Sequence, residues 1–366
     1  MTAATEKEPL VALAAASESV SDVGTVGTAK AFEYVPPPYY DARSRTPEWL
    51  QLCITWVFNF VVIHYNLWVV PFLVLFYYLY QHGYWVFIVA LVALYIPSFI
   101  DGSERTGNGR PWKGLRASQL WHCCSRLLKL KIVREQELDP SKRYIFGFHP
   151  HGIIVFSRIA TFGGSWEKVF PNIAARLLGA SAVFYVPLAR EICLWLHAVD
   201  ASRSTAEKVL KSGKSILVYP GGVPEIFLTE PDSKENKIML KSRLGFVKLA
   251  IRHGAELVPV FIFGEKWFYN VWTPPPKAVA FFRKVLKIPI IVFWGSFLWM
   301  PKRLPKGKSY GIVYGKPIPA TLNPEPSDEE VQALHAQYVA EVERIFEQYK
   351  VKFGYDADET LVVFFD

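Results

Sequence analysis

Charge is scarce in this chain and missing altogether from one long stretch: residues 50–80 contain no Lys, Arg, Asp or Glu. Overall only 20% of the 366 residues are charged, against 51% hydrophobic and 15% aromatic. That balance is greasy for a soluble enzyme. Combined with a net charge of +8, it suits a membrane surface better than nucleic acid. No finger, basic zipper or RNA-recognition signature occurs, so no nucleic-acid partner is expected. Cysteine is also sparse. Cys53, Cys123, Cys124 and Cys193 form no Cys-x-x-Cys pair and no zinc spacing, so no metal site is expected. There is no Asn-x-Ser/Thr site, which together with the thiols fits a reducing, cytosol-facing location. A lipase would need a Gly-x-Ser-x-Gly elbow, and none exists. Gly213-Lys214-Ser215 is no P-loop, because Lys208 stands where its first glycine belongs.

What is present begins with residues 1–48, rich in Ala, Ser, Glu, Thr and Val and closing on Pro36-Pro37-Pro38. They lack the basic start and apolar core of a signal peptide and read as a disordered cytosolic tail. Two apolar runs follow, 50–80 and 84–100, joined by Gln81-His82-Gly83. A bilayer core takes about 20 apolar helical residues, with a range of about 17–25; the first run is long enough and the second is at the short end. Tyr and Trp crowd their ends, as in interfacial belts. Residues 49–100 therefore read as a membrane hairpin of two transmembrane or re-entrant helices. Arg105, Arg110, Lys113, Arg116, Arg126, Lys129 and Lys131 follow it, while the turn has no Lys or Arg. The positive-inside rule then puts both flanks in the cytosol. Residues 101–140 read as a basic juxtamembrane segment on anionic headgroups.

From residue 141 onward the pattern is α/β. Candidate strands are 144–148, 182–186, 215–219, 257–263 and 311–314. A helix is expected from Ser204, with Glu207 completing a capping box, to Gly213. Others are expected over about 238–253, stopped by Gly254, and over 328–349 after Ser327. Alternating strands and helices predict a mostly parallel sheet flanked by helices. The apolar run 288–300 reads as a core strand or as a surface in shallow lipid contact.

The chemistry-bearing residues lie where strands end. The run Tyr144-Ile-Phe-Gly-Phe148 leads into His149-Pro150-His151-Gly152, and Pro150 and Gly152 force a turn. Side chains at the carboxyl end of such a strand face the crevice where open α/β sheets hold ligands, and a histidine there can take a proton near neutral pH. Downstream, Ile216-Leu217-Val218-Tyr219 runs into Pro220-Gly221-Gly222-Val223-Pro224-Glu225, a second glycine turn ending in its only acid. Further elements are Pro187-x-x-Arg190 and Arg243-x-Gly245-Phe246-x-Lys248.

His149-Pro150-His151-Gly152, Pro187-x-x-Arg190, Gly221-Gly222-x-x-Glu225 and Arg243-x-Gly245-Phe246, in this order behind a hairpin, resemble the diacylglycerol acyltransferase 2 family. Phe72-Leu73-Val74-Leu75 is similar to that family's neutral-lipid motif. The resemblance covers about residues 50–350. It implies a glycerolipid-acyltransferase-like catalytic domain over 141–352, a C-terminal tail over 353–366, and acyl transfer from acyl-CoA to a glyceride hydroxyl at the endoplasmic reticulum and lipid droplets. Acyl-CoA is then a co-substrate, no further cofactor is implied, and membrane lipids and a second copy of the chain are expected partners. Related acyltransferases carry an acid at His-x4-Asp, whereas Ile154 and Phe156 stand at that spacing here. The Tyr-Phe-Pro tripeptide of animal and fungal members is also missing, and Leu127-Leu128-Lys129 stands in its place.

A thioester is already activated, so one general base suffices. His151 is expected to take the hydroxyl proton, with His149 or Glu225 fixing its tautomer. Backbone N–H groups at Gly152 or at Gly221-Gly222 are expected to hold the oxyanion. Arg190, Arg243 and Lys248 are expected to meet the phosphates of coenzyme A, and Pro187, Gly245 and Phe246 complete the implied substrate site. The stretch 221–228 carries no Arg or Lys, which favours an uncharged acceptor: diacylglycerol first, monoacylglycerol or a wax alcohol as alternatives. A non-catalytic hairpin protein coating lipid droplets would explain residues 50–100 but not the later motifs.

Overall fold

The computed structural model describes residues 31–36, 69–118, 120–272, 292–296 and 300–364, with isolated positions between 47 and 57 and Pro275. Its strands are β1 (Phe32–Tyr34), β2 (Leu130–Arg134), β3 (Tyr144–His149), β4 (Ala175–Gly179), β5 (Ala198–Asp200), β6 (Ser215–Val218), β7 (Glu235–Met239), β8 (Glu256–Phe263), β9 (Asn270–Trp272), β10 (Val292–Trp294), β11 (Tyr310–Tyr314) and β12 (Thr360–Phe364). Eight of them form one sheet in the order β1-β2-β11-β8-β3-β6-β4-β5. All neighbours in it run parallel except β1 with β2 and β11 with β8. The mostly parallel sheet read from the sequence is therefore present.

Both faces of this sheet are covered, and the strands show why. In β8, Leu257, Phe261 and Phe263 point to one core, while Val258, Val260 and Ile262 point to the other. A strand alternates its side chains between faces, so an unbroken apolar run is what a doubly buried parallel strand requires. One core is closed by helices α4 (Arg203–Lys211), α5 (Gly245–His253) and α6 (Asp328–Tyr349), through Val209, Val247, Val342 and Phe346. The other holds Phe146 and Phe148 of β3 against Trp121, Trp166 and Phe170. Fully burying one such side chain contributes roughly 1.5–3 kcal/mol. Strand β3 thus lies between β8 and β6, so its carboxyl end is flanked on both sides by the ends of parallel neighbours.

Ahead of the sheet stand helices α1 (Val69–Gln81) and α2 (Trp85–Ile100), joined at His82–Tyr84. No residue of α2 is buried. The helical stretch Trp85–Arg105, 21 residues with mean hydropathy 1.9, is long and apolar enough to cross a membrane, whereas α1 is a shorter apolar helix. Residues 58–68 of the first apolar run lie outside the described residues. The end of α2 is fixed to α3 (Ala189–Trp195), where Tyr95 and Ser98 both donate to the Glu191 carboxylate.

Several expected elements differ. Residues 182–186 are mostly a 3-10 turn, Ser181–Tyr185, and the strand is the preceding β4; exposed Ala182 and Tyr185 have no sheet face to fill. The helix expected over 238–253 begins only at Gly245, because Ile238 and Met239 belong to β7. Helix α4 starts at Arg203, and Glu207 pairs with Arg203 one turn back instead of capping from Ser204. Phe32–Tyr34, within the expected tail, forms the sheet edge, with Arg134 lying over the Phe32 ring. Of the basic segment 101–140, Leu130–Arg134 is strand β2 of the main sheet. At the C-terminus, residues 360–364 pair in parallel with β7. Most of 288–300 lies outside the described residues; within it β10 pairs with β9 and leaves Trp294 exposed. Helix α6 is as expected, with a capping box between Ser327 and Glu330.

Candidate active site

The turn after β3 brings the histidines to the end of the sheet, and the two rings part company there. His149, still on the strand, is wholly buried. Its Nε2 lies 3.1 Å from the Tyr338 hydroxyl, which itself donates to Gly147 O at 2.9 Å. Gly147 has to be glycine, because a Cβ there would sit 2.0 Å from that hydroxyl. With the Tyr338 proton committed, His149 donates from Nε2 and keeps its lone pair on Nδ1. That atom has no hydrogen bond among the described residues and faces Glu225 Oε1 at 3.7 Å.

His151 is half-buried, with its ring edge-on to Tyr219 at 5.4 Å. Its Nδ1 lies 2.8 Å from Gly152 O. A carbonyl only accepts, so Nδ1 carries the proton and Nε2 presents the lone pair. Nε2 makes no hydrogen bond among the described residues. Burial pushes the imidazole pKa below the usual 6.5, against an opposing pull from the Gly152 carbonyl and Glu225. His151 is thereby held as a neutral base.

Glu225 sits in the 3-10 turn Val223–Leu228 beyond β6 and is fully buried. It accepts from His151 N–H at 2.6 Å and from Met239 N–H at 2.9 Å. It braces the backbone of the histidine turn, while the tautomer of His151 is set by the Gly152 carbonyl; neither His149 nor Glu225 contacts the His151 ring nitrogens. Gly221 is required beneath it, since a Cβ there would come within 2.0 Å of the carboxylate. Gly222 N–H closes the turn onto Tyr219 O and is not available to an oxyanion. Gly152 and Gly221 N–H have no acceptor among the described residues.

Sequence reasoning passed over Glu265. It follows β8 and Gly264 on the opposite flank of β3, a strand-glycine-acid ending like that of Glu225, which was the signal available. It is buried, and its Oε1 accepts from Phe156 N–H at 2.9 Å while Oε2 has no partner among the described residues. Burial pushes its carboxyl up to about 8, tempered by the Phe156 N–H. Tyr219, hydrogen-bonded to Ser157 at 2.7 Å, and Tyr338 were also missed; both look like ordinary core aromatics in sequence.

Beside this turn runs a groove of about 500 Å³ with Ile145 and Ile216 on its apolar side and Arg203, Arg243, Lys248 and Arg252 on its rim. Gly245 and Phe246 line it too, and the Phe246 ring meets Tyr338 at 4.9 Å. The Arg243 element reaches the histidine turn through two tyrosines, Tyr338 against His149 and Tyr219 against His151. Arg190 is not part of this arrangement. It is 1% exposed and donates to Ser98 O at 2.6 Å, Asp101 at 2.5 Å, Glu104 at 2.7 Å and Glu191 at 3.0 Å. Encased by carboxylates, it has no face for a phosphate; it fastens the end of α2 to α3, with Pro187 exposed nearby. Phe72, Leu73, Val74 and Leu75 are exposed on α1. Among the described residues no group of three or more His, Cys, Asp or Glu is placed to hold a metal.

Residues 77–364 match the family model described as diacylglycerol acyltransferase. The chain is similar to mouse 2-acylglycerol O-acyltransferase 1, 32% identical over 74% of this chain and 85% of that one. It is likewise similar to diacylglycerol O-acyltransferase 1 of Schizosaccharomyces pombe, 30% identical over 86% and 92%, and to diacylglycerol O-acyltransferase 2 of Danio rerio, 30% over 78% and 82%. Among solved structures, the 1-acyl-sn-glycerophosphate acyltransferase of Thermotoga maritima covers 82% of this chain and 95% of its own at 15% identity and a TM-score of 0.40, too weak a likeness to bear on the chemistry.

Proposed function

The chain belongs to the diacylglycerol acyltransferase family, and on that premise we propose that it esterifies the free hydroxyl of diacylglycerol from acyl-CoA, with His151 as general base. The observation that carries this reading is the fixed tautomer: Nδ1–H is tied to Gly152 O at 2.8 Å, so the lone pair on Nε2 is left for the substrate. The acceptor oxygen attacks the thioester carbonyl as its proton passes to Nε2. Gly152 or Gly221 N–H stabilises the oxyanion. When it collapses, the carbon–sulfur bond breaks and the His151 imidazolium returns its proton to the thiolate, releasing triacylglycerol and coenzyme A. His149, walled off behind Tyr338, supports the turn from within.

The cationic rim of Arg243, Lys248 and Arg252 suits the phosphates of coenzyme A, and the absence of cations from 221–228 suits an uncharged acceptor. Monoacylglycerol or a wax alcohol is the second reading, favoured by the similarity to a 2-acylglycerol O-acyltransferase and to mouse acyl-CoA wax alcohol acyltransferase 2. The exposed apolar surfaces of α1 and α2 support a hairpin held in the endoplasmic reticulum membrane, with the catalytic unit on the cytosolic side and Phe72–Leu75 against lipid. The test is expression in cells unable to make triacylglycerol, followed by lipid analysis with defined acceptors. Triacylglycerol that appears with added diacylglycerol supports the reading. Esters only of a monoacylglycerol or fatty alcohol transfer it to the second, and no acyl transfer to any acceptor overturns both.

A further inference from the structure

The histidine turn is gripped from both sides of β3, and the two grips differ. Glu225, beyond β6, takes the His151 N–H. Glu265, beyond β8, takes the Phe156 N–H at the far end of the same turn. Between those points the chain runs through Gly152 and Val155, both at positive φ, 66° and 42°. Gly152 lies directly on the Glu265 carboxyl: a Cβ at residue 152 would be 2.3 Å from Oε1 and 2.9 Å from Oε2. The same residue supplies the carbonyl that holds His151 Nδ1–H. Glu265 has no ion-pair partner among the described residues, and its Oε2 is a buried oxygen with no hydrogen bond. A buried carboxyl without a cation costs free energy unless it is neutral, and such groups gather at functional sites more often than in ordinary cores.

We propose that Glu265 is a positioning residue of the transfer reaction: by holding Phe156 N–H and seating Gly152, it fixes the carbonyl that sets the His151 tautomer. This rests on His151 acting as the base. Glu265 does so as the neutral acid, because burial pushes its carboxyl up to about 8. A negative charge against Gly152 would oppose the oxyanion forming at that backbone. The titratable groups facing Glu265 from the elements around it are Tyr219 beyond β6, Tyr269 before β9, Tyr310 on β11 and Tyr355 after α6. Burial pushes all four upward, so they stay neutral where Glu265 titrates. Arg158 faces Tyr219, and His151 sits on the turn itself with its pKa held down.

The experiment measures coenzyme A release by the full-length protein in lipid, as wild type, Glu265→Gln and Glu265→Ala, across pH 6–10. Glutamine keeps an oxygen for Phe156 N–H and cannot ionise. It should retain kcat near neutral pH and lose the alkaline decline expected of the wild type as pH rises through about 8. Alanine frees the turn and should lower kcat about 100-fold, the scale of a 1 Å misplacement, with the KM for acyl-CoA unchanged. An alanine variant with wild-type kcat, or a glutamine variant with the wild-type alkaline limb, overturns the proposal. Should the alanine variant fail to fold, the glutamine profile decides alone. A wild type that releases no coenzyme A with any acceptor contradicts acyl transfer itself and is told apart on that ground.

Discussion

Two clusters of buried ionisable groups in this molecule are built in opposite ways. Around Arg190 a fully buried guanidinium is met by Asp101, Glu104 and Glu191, so charge is answered by charge. At the turn after β3, Glu225 and Glu265 are buried with no Lys or Arg in ion-pair range among the described residues, and backbone N–H groups hold them. The first arrangement locks protons in place and ties the end of α2 to the main unit. The second holds its carboxyls on backbone N–H groups, where burial shifts His151 down and Glu265 up, the kind of perturbation that gathers at functional sites. Sequence motifs do not separate the two: Pro187-x-x-Arg190 and Gly221-Gly222-x-x-Glu225 look equally chemical as strings, and only the partners distinguish a fastening from a site.

The comparison is broken most severely by Glu225→Ala. It strips the acceptor from His151 N–H and Met239 N–H together. Each buried donor left unpaired costs about 1–3 kcal/mol, and with the turn released, coenzyme A release should fall at least about 100-fold. Rates and thermal unfolding of the same preparation check both halves. Arg190→Met comes next. It leaves the three carboxylates with Arg110 on Asp101 and Glu191 and should destabilise the protein by about 3 kcal/mol, the lower end for a broken buried pair, because Asp101 and Glu104 also reach water. The KM for acyl-CoA in the folded fraction should not change; a raised KM at unchanged stability would make Arg190 a phosphate ligand and erase the distinction. The smallest effect is one of pH. Burial favours neutral His151, so the base stays deprotonated as pH falls through the ordinary histidine value of 6.5 and protonates only below it. The acid limb of the rate profile should therefore lie below 6.5; a limb above it would require an imidazole stabilised in its charged form.

How much of this was legible in the sequence depended on whether the signal was local. The run Tyr144–Phe148 ended by Pro150 and Gly152, the cap at Ser327 and the stop at Gly254 all rest on backbone rules acting over a few residues, and each is present. The errors came where local rules were ambiguous. Ile238 and Met239 fit a helical apolar period, yet β12 pairs with them from the far end of the chain. Short apolar 182–186 could be a strand or a turn, and β4 had already taken the place in the sheet. At the site, the motif residues His149, His151 and Glu225 were found, but their roles follow from hydrogen bonds. The carboxylate partner expected on the His151 ring grips its backbone instead, and a glycine carbonyl takes the ring proton. Tyr338, 189 residues from His149, carries no local mark of its contact.

The most direct measurement is coenzyme A release from acyl-CoA by His151→Ala, in membranes, with diacylglycerol supplied. Loss of the general base should slow the reaction by about 10²–10⁴-fold in a protein that still folds and inserts. Near-normal turnover by that folded, inserted variant would contradict the assignment of His151 Nε2 as the base.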